Sequence, residues 1–156
     1  SKYLEYLELQ RTLGKQLGNS WVDTVIEAKD ILLKGKEAYE QINILGDDSV
    51  PLEYHEKYWK SELIDFVILQ QDAFDAIDSY TSLERQRYML CAVMDVCHIE
   101  FDFQLFDEIA PYFKKIIDKL KQMNYSEFQS NEFNQYLEAL GKLINQKKAK
   151  EYGPSI

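Results

Sequence analysis

Apolar side chains recur at intervals of three and four residues along most of the chain, which is the spacing of one face of an α-helix. Residues 1–18 show this spacing loosely, and Gly18-Asn19 is predicted to end that stretch. Ser20 is then predicted to begin a stronger helix, because Ser20-x-x-Asp23 resembles a capping box. Its continuous apolar face, which predicts packing against a partner, consists of Trp21, Val25, Ala28, Leu32, Gly35, Tyr39 and Ile42.

A second helix is predicted from about Leu52 to Gln70, with its core face at Trp59, Leu63, Phe66 and Val67. The loop between the two helices reads Gly46-Asp47-Asp48-Ser49-Val50-Pro51. Glycine suits the C-terminal end of a helix, and proline shortly after it cannot continue one. We therefore expect a long antiparallel helical hairpin that carries two acids at its tip.

The helical pattern continues to the C-terminal end of the chain. Thr81-x-x-Glu84 is a second capping pattern, and it opens a helix with Leu83, Leu90 and Cys97 at seven-residue intervals. Residues 99–110 are aromatic and irregular. Two more helices are predicted. One has Pro111 in its first turn and a core face of Phe113, Ile116, Ile117, Leu120 and Met123. The other begins near Ser130, ends at Gly153-Pro154 and has a core face of Phe133, Tyr136, Leu137, Leu140 and Ile144. The predicted fold is all-α, a single domain 1–156 of five to seven helices.

Composition and charge exclude several classes of protein. The 156 residues are 46% hydrophobic and 29% charged, which is typical of a globular domain. The 18 basic and 27 acidic residues give a net charge of −9, which disfavours nucleic acid and anionic membrane surfaces as partners. No apolar run is long enough for direct membrane insertion. Cys91 and Cys97 are interpreted as reduced core residues of a cytosolic protein. The chain begins at Ser1 without Met, so a fragment of a longer protein is an open interpretation.

The search for catalytic chemistry finds little. Each Gly-Lys pair is followed by Gln, Glu or Leu, so the Ser or Thr of a phosphate-binding loop is missing. Asp95-x-x-His98 could form half of a dinuclear metal site, but such a site needs a second pair and further inward carboxylates. His55 has no acid three residues before it. A buried or half-buried structural His98 is the favoured interpretation.

Two other positions leave alternatives open. Asp47 and Asp48 form either a plain soluble turn, which the residues alone favour, or a functional loop tip. Phe74 lies among polar residues in a linker, where it either fills the core or presents a flat face to a ligand. The residues alone favour the core.

Three segments resemble the C-terminal helical domain of the catalytic A (alpha) subunit of V-type, or A/V-type, rotary ATPases. Residues 44–51, ILGDDSVP, are similar to the family's LVGPDALP-like hairpin tip, and residues 66–78, FVILQQDAFDAID, to its FLQQNAFDEVD segment. Residues 79–86, SYTSLERQ, followed by Met-Leu, resemble TYCSLEKQ…ML. The chain departs from the family at Asp72, where Asn is usual, and at Thr81, where Cys is common.

The resemblance covers a family-like core, residues 20–98, and leaves a C-terminal helical extension, residues 99–156. It implies a parent subunit that binds ATP and Mg²⁺ upstream of this chain, assembles with B subunits and central stalk (rotor) subunits, and couples ATP hydrolysis or synthesis to rotation and to proton or sodium transport. The chain itself would need no cofactor and would be inactive alone. The complex would lie on the cytoplasmic face of a membrane.

The resemblance also implies two sites. Phe74 would pack against the adenine ring, and Gly46, Asp47, Asp48, Ser49, Val50 and Pro51 would face the rotor. The tip has fewer acids than the corresponding loop of the F-type beta subunit, so its contact with a basic shaft should be weaker. A free-standing helical adaptor that binds a partner helix is the alternative function, and a bundle metalloenzyme that binds metal through His98 is a third.

Overall fold

The computed structural model describes residues 15–70 and 83–150. The helices of this part are α1 (Lys15–Leu45), α2 (Leu52–Ile64), α3 (Leu83–Cys97), α4 (Ile109–Tyr125) and α5 (Asn131–Lys147). A π-helix, Asp65–Leu69, continues α2, and a short 3-10 helix, Phe106–Glu108, precedes α4. The described ranges contain no strand longer than an isolated bridge, so the predicted all-α class is confirmed. No helix among them is long and apolar enough to cross a membrane.

The first helix is longer than the sequence pattern predicted. α1 continues through Gly18, Asn19 and Ser20, so the predicted boundary before Ser20 is wrong. A glycine in a helix interior costs about 1 kcal/mol relative to alanine. Most helix stability in a folded protein comes from packing of the apolar face, and the long face that follows outweighs this local cost.

The buried face of α1 also differs from the prediction at one position. Ala28 and Ile42 are buried as expected, whereas Tyr39 is 46% exposed and Ala38 is buried in its place. The two positions are adjacent on the helix and point about 100° apart. The ring of Tyr39 instead stacks on that of Tyr58 of α2 and leaves part of its surface exposed.

α1 and α2 lie antiparallel and very close together. A Cβ atom at Gly35 would lie 2.1 Å from Oγ of Ser61 on α2. Nearer the connecting loop, the rings of Tyr39 and Tyr58 stack with 5.0 Å between their centroids. Because the contacting partners approach each other in sequence toward the loop, the two helices run in opposite directions. They form one arm, residues 15–64, with the loop at its end.

The core lies where α2, α3, α4 and α5 meet. α4 crosses the centre and buries the whole face predicted for it, Phe113, Ile116, Ile117, Leu120 and Met123. α2 and the π-helix contribute Leu63, Ile64 and Val67, and α3 contributes Leu90, Val93 and Val96. The irregular segment after α3 closes this core with an aromatic cluster of Phe101, Phe103, Tyr112 and Phe113.

Arg85 joins the start of α3 to the end of α4. Its guanidinium donates hydrogen bonds to the carbonyl oxygens of Met123 at 2.8 Å and Ser126 at 2.6 Å, and to that of Asn124. The last carbonyls of a helix have no partner within the helix, and a cation is favourable there. Arg85 therefore fixes the C-terminal end of α4 against the first turn of α3.

The last helix begins as predicted but ends earlier. The Ser130 side chain accepts a hydrogen bond from the backbone N–H of Phe133 at 3.2 Å, which is an N-cap. α5 ends at Lys147, so its predicted end at Gly153-Pro154 is wrong. Lys148 instead has an extended backbone conformation and forms an antiparallel bridge with Phe101. Lys147 lies in the last turn of α5 and pairs with Glu108 at 3.2 Å.

Candidate functional site

The loop at the end of the arm, residues 46–51, is the candidate site, and we call it the tip loop. Gly46 has φ +95°, a left-handed conformation that suits glycine and turns the chain away from α1. The N–H of Ser49 donates to the carbonyl oxygen of Gly46 at 3.2 Å and closes a tight turn. Pro51 has φ −58° and directly precedes α2, whose first turn needs no N–H from it.

The tip loop exposes its polar residues and buries one apolar residue. Asp47, Asp48, Ser49 and Pro51 are exposed, whereas Val50 is buried. The predicted rotor-facing set therefore divides into an outer acidic surface and an inner anchor. Val50 cannot contact a partner directly, since its side chain is covered by the domain itself.

His55 supports this loop, a contact that sequence reasoning missed. It is buried, and its Nε2–H donates to the carbonyl oxygen of Asp47 at 2.7 Å. Its ring also stacks on Phe106, with 5.6 Å between centroids. The tip loop is therefore tied to α2 and to the segment before α4. The only local signal was a histidine in the first turns of the helix that follows the loop.

Two exposed apolar residues lie directly beside the acids. Ile44 is 73% exposed and Leu45 is 52% exposed, and both belong to the last turn of α1. Exposed apolar side chains that form a contiguous patch can mark an interaction surface, and these two are neighbours in the chain. The end of the arm thus offers a small mixed surface, aliphatic on α1 and acidic on the tip loop.

Phe74 lies outside the described residues, and so does Thr81 of the second capping pattern. The nearest described residue before Phe74 is Gln70, at the end of the π-helix. The choice between a core position and an adenine contact for Phe74 therefore stays a prediction. The π-helix itself gave no signal in the sequence, because its side chains keep an ordinary apolar pattern.

His98 is not the buried or half-buried residue that the pattern favoured. It is exposed at the end of α3, and its Nε2 contacts Oε1 of Glu27 on α1. Asp95, one turn earlier, is also exposed, and partial desolvation of its carboxyl raises the pKa. Within the described ranges, no group of three or more His, Cys, Asp or Glu side chains could hold a metal ion. The contact between His98 and Glu27 joins α1 to the end of α3 at the surface.

Both cysteines are free thiols, as the sequence predicted. Cys97 is buried, and Cys91 is half-buried. Burial raises the pKa of Cys97 to about 12. A thiolate is the nucleophilic form of cysteine, so Cys97 serves the core and not chemistry.

The fold and the tip loop define an all-α domain in which a closely packed helix pair presents an acidic turn. A family model described as the C-terminal domain of V and A type ATP synthase matches residues 11–105. The chain belongs to this family. The matched residues include 20–98, whereas α4 and α5 lie beyond them.

Relatives match over most of this chain. The V-type ATP synthase alpha chain of Borreliella burgdorferi (strain ZS7) is 36% identical over 121 residues, 78% of this chain and 21% of that protein. The one of Chlamydia trachomatis serovar D is 33% identical over 94% of this chain and 24% of its own length. The V-type ATP synthase alpha chain of Protochlamydia amoebophila is 29% identical over 96% of this chain and 25% of its own length. The chain thus spans about a quarter of these relatives. No solved structure matches it significantly.

Proposed function

We propose that this domain is the lever of the catalytic alpha subunit of a V-type ATP synthase or ATPase. In this role it couples ATP hydrolysis or synthesis to rotation of the central stalk and to proton or sodium transport. The observation that best supports this proposal is the anchored tip loop. Its acids are exposed while Val50 and His55 hold its backbone against the domain. A loop held in this way transmits displacement of the domain to whatever its outer surface contacts.

The contacts below the tip loop support this role. α1 and α2 pack without a gap at Gly35 and Ser61. At the base of α2, Nζ of Lys60 donates to the carbonyl oxygen of Ile99 at 3.1 Å and ties the arm to the segment after α3. Because protein interiors are close-packed and transmit strain, a movement of the core would carry the tip loop with it.

The proposed partners follow from family membership. A chain of this family functions with the other subunits of an ATP synthase, and the finer assignment is to B subunits beside it and a central stalk at the tip loop. The mixed surface of Ile44, Leu45, Asp47 and Asp48 suits a helical shaft that offers aliphatic and basic side chains. The catalytic sector would lie on the cytoplasmic face of the membrane as a peripheral assembly.

Replacing both tip acids with asparagine in the complete complex tests the rotor contact. We expect Asp47→Asn with Asp48→Asn to lower ATP-driven ion transport by about two- to thirtyfold, since exposed ion pairs are worth ~0.2–1 kcal/mol each. Nucleotide affinity should stay unchanged. Glu40→Gln, on the exposed side of α1, is the matched control. Normal transport in the double variant, or an equal loss in the control, would refute the rotor-facing assignment.

Phe74 carries the second part of the proposal, a contact with the adenine ring of ATP bound with Mg²⁺ by the parent subunit. We expect Phe74→Ala in the complete subunit to raise the Kd for ATP by about three- to tenfold, because an aromatic stacking contact is worth ~0.5–1.5 kcal/mol. Phe74→Tyr should retain affinity. Equilibrium binding of a fluorescent ATP analogue measures both variants. Unchanged affinity in Phe74→Ala would return the residue to a core role.

A further inference from the structure

The helix that begins with α2 changes type near its C-terminal end and then resumes. Residues 61–64 are α-helical, Asp65–Leu69 form the π-helix, and Gln70 is helical again. The backbone N–H of Gln70 donates to the carbonyl oxygen of Asp65, five residues earlier, whereas an α-helix would pair it with residue 66. Because the π form is rare, its presence here calls for contacts that favour it over the α form.

Two side chains of α4 contact the π-helix. Nδ2 of Asn124 donates a hydrogen bond to the carbonyl oxygen of Val67 at 3.4 Å. Nζ of Lys121 lies 4.9 Å from the centre of the Phe66 ring, which is a cation–π contact. Lys121 and Asn124 are three residues apart, so they lie on one face of α4. Val67 is only 1% exposed, and a buried carbonyl without a donor is costly. α4 therefore supplies a polar partner at the buried side of the π-helix.

The end of α4 that carries Asn124 is itself fixed by Arg85 of α3. The Arg85 guanidinium donates to the carbonyl oxygens of residues 123, 124 and 126. The hydroxyl of Ser126 also donates to the carbonyl oxygen of Gln122 at 2.8 Å and closes the last turn of α4. The backbone of Asn124 is thus held from α3, while its side chain holds Val67. These contacts form one continuous hydrogen-bonded path from α3 to the base of the arm.

The outer side of the π-helix offers weaker support. Nε2 of Gln70 donates to a carboxylate oxygen of Asp65 at 3.1 Å across the turn, but this hydrogen bond is exposed. Water competes for both groups, so the net contribution of such a hydrogen bond is small. The contacts from α4 are therefore the ones that decide between the two helix types.

We propose that Lys121 and Asn124 form a catch that selects the π form of residues 65–69 over the α form, and that Arg85 sets the position of this catch. A movement of the first turn of α3 would then change the helix type at the base of the arm, because it would displace the donor of the catch. A contact made in only one of two alternative forms shifts the balance between them. Both side chains of the catch lie beyond residues 11–105, which the family model matches. The catch acts within this domain, so it depends on neither the rotor contact nor the adenine contact.

NMR couplings across hydrogen bonds, measured on the purified, isotope-labelled chain, test the catch. We expect the amide nitrogen of Gln70 to couple to the carbonyl carbon of Asp65. Asn124→Asp keeps the shape of the side chain but replaces its donor with an acceptor. In this variant the coupling to Asp65 should weaken and a coupling to Phe66 should appear, with the ratio of the two forms shifted toward α by at least about fivefold. Adding Lys121→Met should shift the ratio further.

Arg85 variants test the link from α3. Arg85→Gln should shift the ratio in the same direction as the Asn124 variant, although the altered side chain lies on α3. Arg85→Lys keeps a cation at the last carbonyls of α4 and should restore most of the π form. Wild-type couplings in Arg85→Gln would overturn the link to α3.

Two further variants make the test specific. Asn145→Asp makes the same chemical change at an exposed position of α5 and should leave Gln70 paired with Asp65. Asn124→Leu removes the donor without adding a charge and repeats the test independently of Asn124→Asp. Unchanged couplings in both Asn124 variants, or an equal change in Asn145→Asp, would overturn the proposal. A coupling of Gln70 to residue 66 in the unaltered chain would overturn it as well.

Discussion

At Gly35, a single hydrogen atom in place of a side chain sets the spacing of the arm. We expect Gly35→Ala to lower the free energy of unfolding by about 2 kcal/mol, because overpacking a close contact typically costs ~1–3 kcal/mol. The new methyl group would overlap both Oγ and Cβ of Ser61. Urea unfolding followed by far-UV circular dichroism measures the change.

Gly141 provides the matched control in the same chain. Gly141→Ala meets open space, so only helix propensity changes, and we expect a gain of about 0.5–1 kcal/mol. A loss of stability at both positions would show that glycine is needed for backbone conformation and not for the closeness of α1 and α2. A gain at both would show that the arm tolerates a wider spacing.

On the scale of an element, α5 depends on its N-cap residue, Ser130, for a defined start. We expect Ser130→Ala to lower the free energy of unfolding by about 1 kcal/mol, because the N–H of Phe133 loses its side-chain acceptor. Ser130→Asp should change the free energy of unfolding by only a few tenths of a kcal/mol, since Asp accepts the same hydrogen bond and suits the helix dipole. Urea unfolding measures both variants. Equal losses would contradict the capping role.

Local features of the sequence were enough to predict most helices. The apolar face of α4, the start of α5 near Ser130 and the turn at Gly46 each depend on residues within a few positions of one another, and each is confirmed. The helical class followed from these local patterns. The continuity of α1 through Ser20 did not, because it depends on packing further along the helix.

Features made by distant residues had no such signal. The bridge that follows α5 pairs Lys148 with Phe101. The contact that holds the tip loop in place pairs His55 with Phe106. His98 meets Glu27 on another helix. Periodicity reports which face of a helix is apolar and not which partner covers it. The exposed acids of the tip loop were therefore predictable, whereas its anchors were not.

Over the whole molecule, acids with partly desolvated carboxyl groups make stability depend on pH. Burial is the first cause that raises the pKa of Glu56, Glu62 and Asp95. A raised folded-state pKa favours the protonated form in the folded protein, so these groups contribute most stability below their ordinary values of 4.5 and 3.8. That stability is lost as pH rises through the raised values. We expect urea unfolding to show greater stability at about pH 5 than at pH 7.

Two controls separate this effect from the net charge of −9. Salt screens repulsion between exposed charges but acts little on buried groups, so the pH dependence should persist at high salt. Glu56→Gln should weaken it. The hydrogen bonds that lower the pKa of Glu108 act in the opposite direction. Below pH 4.5, the ordinary pKa of this group, they offset part of the gain in folding stability. Constant or falling stability on mild acidification would contradict the prediction.

The π-helix at Asp65–Leu69 lies between the arm and the chain that leads toward Phe74. One π-turn holds an additional residue compared with an α-turn. Its conversion to regular α-helix would advance the following chain by about 1.5 Å along the axis and rotate it by about 100°. The base of the arm can therefore lengthen by the rise of one residue, because tension along the axis would favour the α-helical form and the helix would not have to unfold.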